Sequence, residues 1–196
     1  IKILKFLGIN KEKLLDSKKN NHIFANEVFA VDHPWYNNGY VHYEVKKIPK
    51  WIVYKHRENF LKKIRKNFNK KIFLDRSQSM YNHCQISNFK EINDSIIKKT
   101  FETFKPELLP FKNQIDLFAN SSIIMGAHGA SLANIIFCRP KTKILEIIPA
   151  DHPNKKCERI SKILNLRYYR IKTKPDNSDV NYPFKIYLNK KNLREI

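Results

Sequence analysis

From Lys71 onward the chain alternates short apolar runs with segments of helical period, joined by short connections. Lys71–Leu74 reads as a strand ending in Asp75-Arg76-Ser77. Phe89–Phe104 places Ile92, Ile96, Ile97, Phe101 and Phe104 on one helical face. Pro106–Pro110 is a brief extended piece, and Lys112–Asn120 is a helix carrying Ile115, Leu117 and Phe118. Ile123–Met125 is a buried strand, Leu132–Phe137 a short helix, and Lys143–Ile148 a strand that stops at Pro149. A helix over Lys155–Leu164 and a strand over Tyr168–Ile171 complete the series. Apolar strands that lack in–out alternation, each followed by a helix, suit parallel strands buried on both faces. The pattern predicts an α/β fold: a Rossmann-like parallel sheet with helices on both faces. With 42% hydrophobic residues, a chain of 196 residues can bury such a core, which argues against a disordered chain.

Upstream the signal is weaker. Gly8 marks a turn, Lys11–Leu15 a short helix, and His22–Phe24 and Val28–Val31 are strand-like. Asp32–Gly39, with Pro34 and Trp35, is a loop. Asp32 and His33 within it read as solvated side chains rather than an acid–base pair, so no catalytic base is assigned. Ile52, Val53, Phe60, Leu61, Ile64 and Phe68 recur at helical spacing, which predicts a linker helix over 51–70 between two lobes. No apolar run reaches the length of a membrane span. Cys84, Cys138 and Cys157 are too widely spaced for a zinc site or a disulfide framework, which suits a reduced, cytoplasmic setting. Ile1 in place of Met reads as a truncation or processing point.

The chain has only four glycines, and two of them frame Gly126-Ala127-His128-Gly129 between a strand and a helix. Glycine there permits close backbone approach by a ligand. The helix start that follows offers free N–H groups to an anion such as a diphosphate. In open parallel sheets, ligands sit at this edge. The same residues also suit an ordinary tight turn with a capping histidine. Arg76, leaving the first strand, offers a guanidinium to phosphate, or else a surface ion pair. Glu146, inside an otherwise apolar strand, can accept from ribose hydroxyls or be a satisfied edge carboxylate. Gln114 and Asn134 read as structural amides, with ligand contact as the minority reading.

Taken in order, Lys71-Ile-Phe-Leu-Asp-Arg-Ser77, Ile86-Ser-Asn88, Pro106-Glu-Leu-Leu-Pro-Phe111 and Gln114-Ile-Asp-Leu-Phe118 precede a longer block. That block is Ile124-Met-Gly-Ala-His-Gly-Ala-Ser-Leu-Ala-Asn-Ile-Ile-Phe137, followed by Thr142-Lys-Ile-Leu-Glu-Ile-Ile-Pro149. The series resembles the family 61 glycosyltransferases through most of residues 70–171 and, more loosely, through the leading segment. The resemblance implies a GT-B architecture, with 1–50 as the remainder of an acceptor-side lobe and 71–196 as a lobe that binds a nucleotide-sugar donor. It implies inverting transfer to the hydroxyl of a glycan or lipid-linked acceptor, with no cofactor and no essential metal. The donor-binding residues it implies are Arg76, Asn88, Gly126, His128, Gly129, Ala130, Asn134 and Glu146. Relatives commonly carry two arginines before the Ile-x-Asn unit, where this chain has Cys84 and Gln85.

The net charge of +20 invites a second reading, a basic nucleic-acid-binding module with aromatics such as Trp35, Tyr36, Tyr168 and Tyr169. Thirty of the basic residues are Lys and eight are Arg, whereas base and phosphate readers favour arginine forks. The charge is +11 over residues 1–71, +2 over 72–150 and +7 over 151–196, so it avoids the proposed donor site. The expectation is therefore no specific nucleic-acid partner, and peripheral contact with an anionic membrane face through Lys62, Lys63 and Lys66. A third reading is a degenerate, non-catalytic member of the family.

Overall fold

The computed structural model describes residues 3–4, 7–29, 48–61, 68–77, 84–150, 152, 154–175 and 185–194. The chain divides into two compact units, Ile1–Val45 and Lys46–Ile196. In the first unit the helix expected over Lys11–Leu15 is a single 3₁₀ turn, Lys11–Lys13, because Leu14 is already extended. His22–Phe24 forms no strand, and Ile23 and Phe24 stand exposed. The Asp32–Gly39 loop, with Asp32, His33, Trp35 and Tyr36, lies outside the described residues.

The second unit begins with α1 (Lys50–Leu61), and β1 (Lys70–Leu74) follows. Lys62, Lys63 and Lys66 lie outside the described residues. The expected linker helix contributes to this unit's own core, burying Val53 and Phe60. The Phe60 ring meets Phe111 and Phe137 edge-on, with centroids 5.2 and 5.9 Å away. Arg57 donates to the carbonyls of Ile136 and Cys138, at 2.6 Å each.

Next comes α2, made of Phe89–Ile92, a π-helical turn Asn93–Ile97, and Lys98–Thr100. The Ser95 hydroxyl donates to the carbonyl of Glu91 inside this irregular stretch, at 2.8 Å. The helix expected to run to Phe104 stops here. Phe101 is extended and Glu102–Phe104 is β2, an edge strand paired parallel with β1. Helical spacing predicted the wrong element because the open edge of β1 satisfies this backbone. Pro106–Leu108, expected to be extended, is a 3₁₀ turn.

The remaining elements are α3 (Phe111–Ala119), β3 (Ser121–Ala127), a 3₁₀ helix (Ala130–Phe137), β4 (Lys143–Pro149), α4 (Lys156–Ile163), β5 (Arg167–Pro175), β6 (Ile186–Tyr187) and α5 (Lys191–Arg194). The strand order is β2-β1-β3-β4-β5-β6, with β1 to β5 parallel and β6 antiparallel to β5. This is a Rossmann-like α/β sheet. Ile72, Leu74, Ile124 and Ile144 face a core with α1, α3, the 3₁₀ helix and α4. Phe73, Met125, Leu145, Ile147 and Ile171 face a second core with α2, Ile186, Leu188 and Leu193. Two buried faces explain the uninterrupted apolar strands. The strand order reverses direction between β1 and β3, and this switch point is where doubly wound sheets open a crevice at their carboxyl ends. Among the described residues, no helix is long and apolar enough to cross a membrane.

Candidate active site

Two turns meet at that switch point. After β1, Asp75 is buried and folds its carboxylate over its own turn, accepting from the Ser77 amide at 2.8 Å and the Ser77 hydroxyl at 3.0 Å. Lys105 lies 3.8 Å from the same carboxylate. This turn carries Arg76 across to the end of β3, where the guanidinium donates to the carbonyl of His128. Burial lowers the pKa of the Arg76 guanidinium from its ordinary value.

The glycines have separate reasons. A Cβ at Gly126 would lie 2.9 Å from the Cβ of Leu74 on the neighbouring strand. At Gly129 a Cβ would fall on the Arg76 guanidinium. Gly129 is extended, so close approach rather than backbone conformation demands glycine there. The His128 amide donates to the carbonyl of Ile147 at 2.8 Å, and the 3₁₀ helix starts with the exposed Ala130. The Ser131 hydroxyl oxygen is buried with no hydrogen-bond partner among the described residues.

Glu146, 1% exposed, is paired in register with Gly126 on one side and Arg170 on the other. One carboxylate oxygen lies 2.5 Å from Nδ1 of His128, and the other accepts from the Tyr168 hydroxyl at 2.5 Å. The Cys157 thiol hydrogen-bonds to the same carboxylate. Burial by itself pushes Glu146 upward, but the bonds from His128, Tyr168 and Cys157 together outweigh it and hold the carboxyl below its ordinary value. Burial, reinforced by the Glu146 charge, pushes both Tyr168 and Cys157 upward. The His152 ring packs against His128 with centroids 4.5 Å apart, and the His152 Nδ1 accepts from the amide of Asn154. His128, Glu146 and Cys157 hold their nitrogen, oxygen and sulfur within 4.8 Å of one another. The 2.5 Å separation of the first two is a hydrogen bond, since two atoms on one tetrahedral zinc stand roughly 3.3 Å apart.

Arg76, Gly126, His128, Gly129, Ala130 and Glu146 thus share the carboxyl edge of the central strands. Glu146 is a satisfied carboxylate bonded to His128 and Tyr168, on a central strand rather than an edge strand. Asn134 donates to Gln114 at 3.0 Å, and Gln114 donates to the carbonyl of Leu109 at 3.0 Å. Asn88 exchanges two hydrogen bonds with the backbone of Leu188, at 2.9 and 3.1 Å. Its amide ties α2 to the segment after β6. A cavity of about 80 Å³ opens beside Arg76, lined by Phe73, Phe89 and Ala127 and by Cys84 and Gln85. Cys84 is fully buried and burial pushes its thiol up to about 12.

Sequence reasoning missed Cys157, His152 and the role of Tyr168. Tyr168 and Arg170 alternate along β5, a weak signal that both face the same side as Glu146.

The family model described as Glycosyltransferase 61 matches residues 3–145 of this chain. The chain belongs to the glycosyltransferase 61 family. Within that stretch lie both turns of the switch point. The chain is also similar to a beta-1,2-xylosyltransferase of Arabidopsis thaliana, 36% identical over 63 residues. That match takes in 32% of this chain and 12% of the length of the plant protein.

Proposed function

We propose that this family 61 chain binds the nucleotide-sugar donor of a glycosyltransferase that passes a sugar to an acceptor hydroxyl with inversion. The observation that carries the reading is the Arg76 guanidinium on the His128 carbonyl, against Gly129, at the β1–β3 switch point. Departure of a nucleoside diphosphate leaves negative charge on its terminal phosphate. Preorganised donors aimed at that charge lower the barrier. Arg76, His128 and the amides that open the 3₁₀ helix are the groups on hand, and with them the reaction needs no divalent metal. Inversion calls for a base on the opposite face of the sugar, to take the acceptor proton as the new bond forms. That base comes from residues other than the strand-end group described here. The acceptor is a glycan or lipid-linked sugar, and the protein works at the cytoplasmic side of a membrane. The plant relative's name makes a xylosyl donor such as UDP-xylose the first to try.

Calorimetric titration with UDP, GDP and UDP-xylose, in the presence of EDTA, tests the reading. Saturable binding is expected. Arg76→Ala and His128→Ala should each weaken it by roughly tenfold or more, the worth of one charge-assisted contact. Absence of saturable binding to every nucleoside diphosphate, or binding indifferent to both substitutions, would overturn it.

A further inference from the structure

We propose that the cavity beside Arg76 is the subsite for the base of the donor nucleotide, and that Gln85 at its rim selects uracil. The nucleotide rests on the donor-site reading above; the choice of base rests on the shape and polarity of the cavity.

The hollow holds about 80 Å³ between the ends of β1 and β3 and the start of α2. Phe73, Ile86, Phe89 and Ala127 form its apolar side, and all but Phe89 are buried. The Phe73 and Phe89 rings stack with centroids 5.6 Å apart. Such walls suit a flat ring with apolar faces, and the space fits a six-membered ring better than a fused purine. The polar lining comes from Gln85 and from the turn after β1. In that turn the Asp75 carboxylate is engaged by the Ser77 amide and hydroxyl. Arg76 lines the cavity and also reaches the His128 carbonyl, so it forms the boundary that a base and its diphosphate would share.

The backbone around Gln85 is preorganised. Cys84 is left-handed, with φ of 55°, a conformation that a non-glycine residue keeps only where its surroundings impose it. Cys84 is fully buried, while the Gln85 beside it is half-buried at the cavity. The Gln85 carbonyl accepts from the amide of Ile186 at 2.9 Å, and Ile86 forms a bridge with Ile186, so β6 fixes this segment. The side-chain Nε2 donates to the Ser77 carbonyl at 3.5 Å. An amide donates only from its nitrogen, so Oε1 is the end that remains for a ligand. Among the described residues, no hydrogen bond reaches that oxygen. An acceptor at this place matches the N3–H of uracil. Cytosine carries a lone pair at N3, which sets acceptor against acceptor and leaves Oε1 unsatisfied.

The test titrates the full chain with UDP, CDP, GDP and inorganic pyrophosphate by calorimetry. UDP should bind roughly tenfold more tightly than CDP or GDP, and pyrophosphate more weakly than UDP. Gln85→Ala keeps the backbone bond to Ile186; it should weaken UDP roughly tenfold, bring it level with CDP and leave pyrophosphate unchanged. Ala127→Val adds two methyl groups to the hollow and should weaken UDP and CDP alike while pyrophosphate binding holds. Should Gln85→Ala fail to fold, Ala127→Val and the order of bases in the wild type carry the test. Equal affinity for the three nucleotides, or a preference for UDP that survives in a folded Gln85→Ala, would overturn Gln85 as the selecting residue. UDP that binds no better than pyrophosphate would overturn the cavity as a base subsite and leave the diphosphate reading in place. A UDP preference that Gln85→Ala removes, with affinity indifferent to Arg76→Ala, would uphold the subsite and overturn Arg76 as the phosphate contact. Absence of binding by every nucleotide and by pyrophosphate would overturn both.

Discussion

Asp75, just after β1, and Glu146, inside β4, are both carboxylates buried at the carboxyl edge of one sheet, yet their partners differ in kind. Asp75 bonds within its own turn, to the amide and hydroxyl of a residue two places on. Glu146 bonds to His128, Cys157 and Tyr168, which come from three other segments of the chain. The first carboxylate shapes a loop so that its neighbour, Arg76, can reach across. The second ties separate elements into one polar cluster beside His128. A local carboxylate positions backbone; a long-range one joins side chains from separate elements.

The contact that joins the two ends is the place to break the comparison most severely. Gly129→Ala puts a Cβ on the Arg76 guanidinium and drives it off the His128 carbonyl while leaving both carboxylates in place. UDP affinity should fall by about 100-fold, near the upper worth of a contact to a charged group. Urea unfolding should show the stability little changed. A variant that binds like the wild type would show that Arg76 does not serve the site.

Stability tests the two carboxylates directly. Glu146→Ala leaves Tyr168, Cys157 and Nδ1 of His128 without their acceptor in a closed environment and should cost about 3 kcal/mol. Asp75→Ala, whose released donors belong to a turn at the rim, should cost about 1 kcal/mol by the same measurement. Equal losses in chemical denaturation would erase the distinction between them.

The pH dependence sharpens it further. Glu146 is held below its ordinary value of 4.5 in the folded protein. Its ionised form therefore stabilises the fold above that ordinary value, and the contribution disappears as pH falls through the lower, folded value. Relative to Glu146→Gln, the wild type should be more stable near neutrality and lose that advantage in acid. A pH series of melting temperatures measures it; a gap that widens on acidification would contradict the hydrogen-bond pattern. The smallest effect concerns the thiols. Cys84, Cys138 and Cys157 are buried, and burial pushes all three up. The native protein should be inert to a thiol-disulfide reagent at pH 8 and release its three thiols only in denaturant.

Much of the strand–helix order could be read along the chain because it depends on neighbours a few residues apart. Lys143–Ile148 and Ile123–Met125 are apolar on both sides, and each lies within an observed strand. Gly126 and Gly129 could be singled out because glycine is so scarce here, although the atoms that exclude a side chain, Leu74 Cβ and the Arg76 guanidinium, belong to β1 and its turn. Phe101 and Phe104 misled because their spacing fits a helix, while the free edge of β1 offered Glu102–Phe104 a sheet partner. Asn88, expected as a ligand contact by its place in a motif, also exchanges hydrogen bonds with the backbone of Leu188, a hundred residues away, which no local pattern foretold.

The sequence by itself determined the alternation, the two buried faces of the sheet and the glycine turn after β3, since these follow from periodicity, burial and local backbone demands. Only the tertiary structure decided that Arg76 crosses to His128 and that Glu146 faces His128, Tyr168 and Cys157. The reason is register. Parallel strands joined by long crossovers pair residues 18 and 22 positions apart, and no local pattern specifies which polar side chains then share a row on one face.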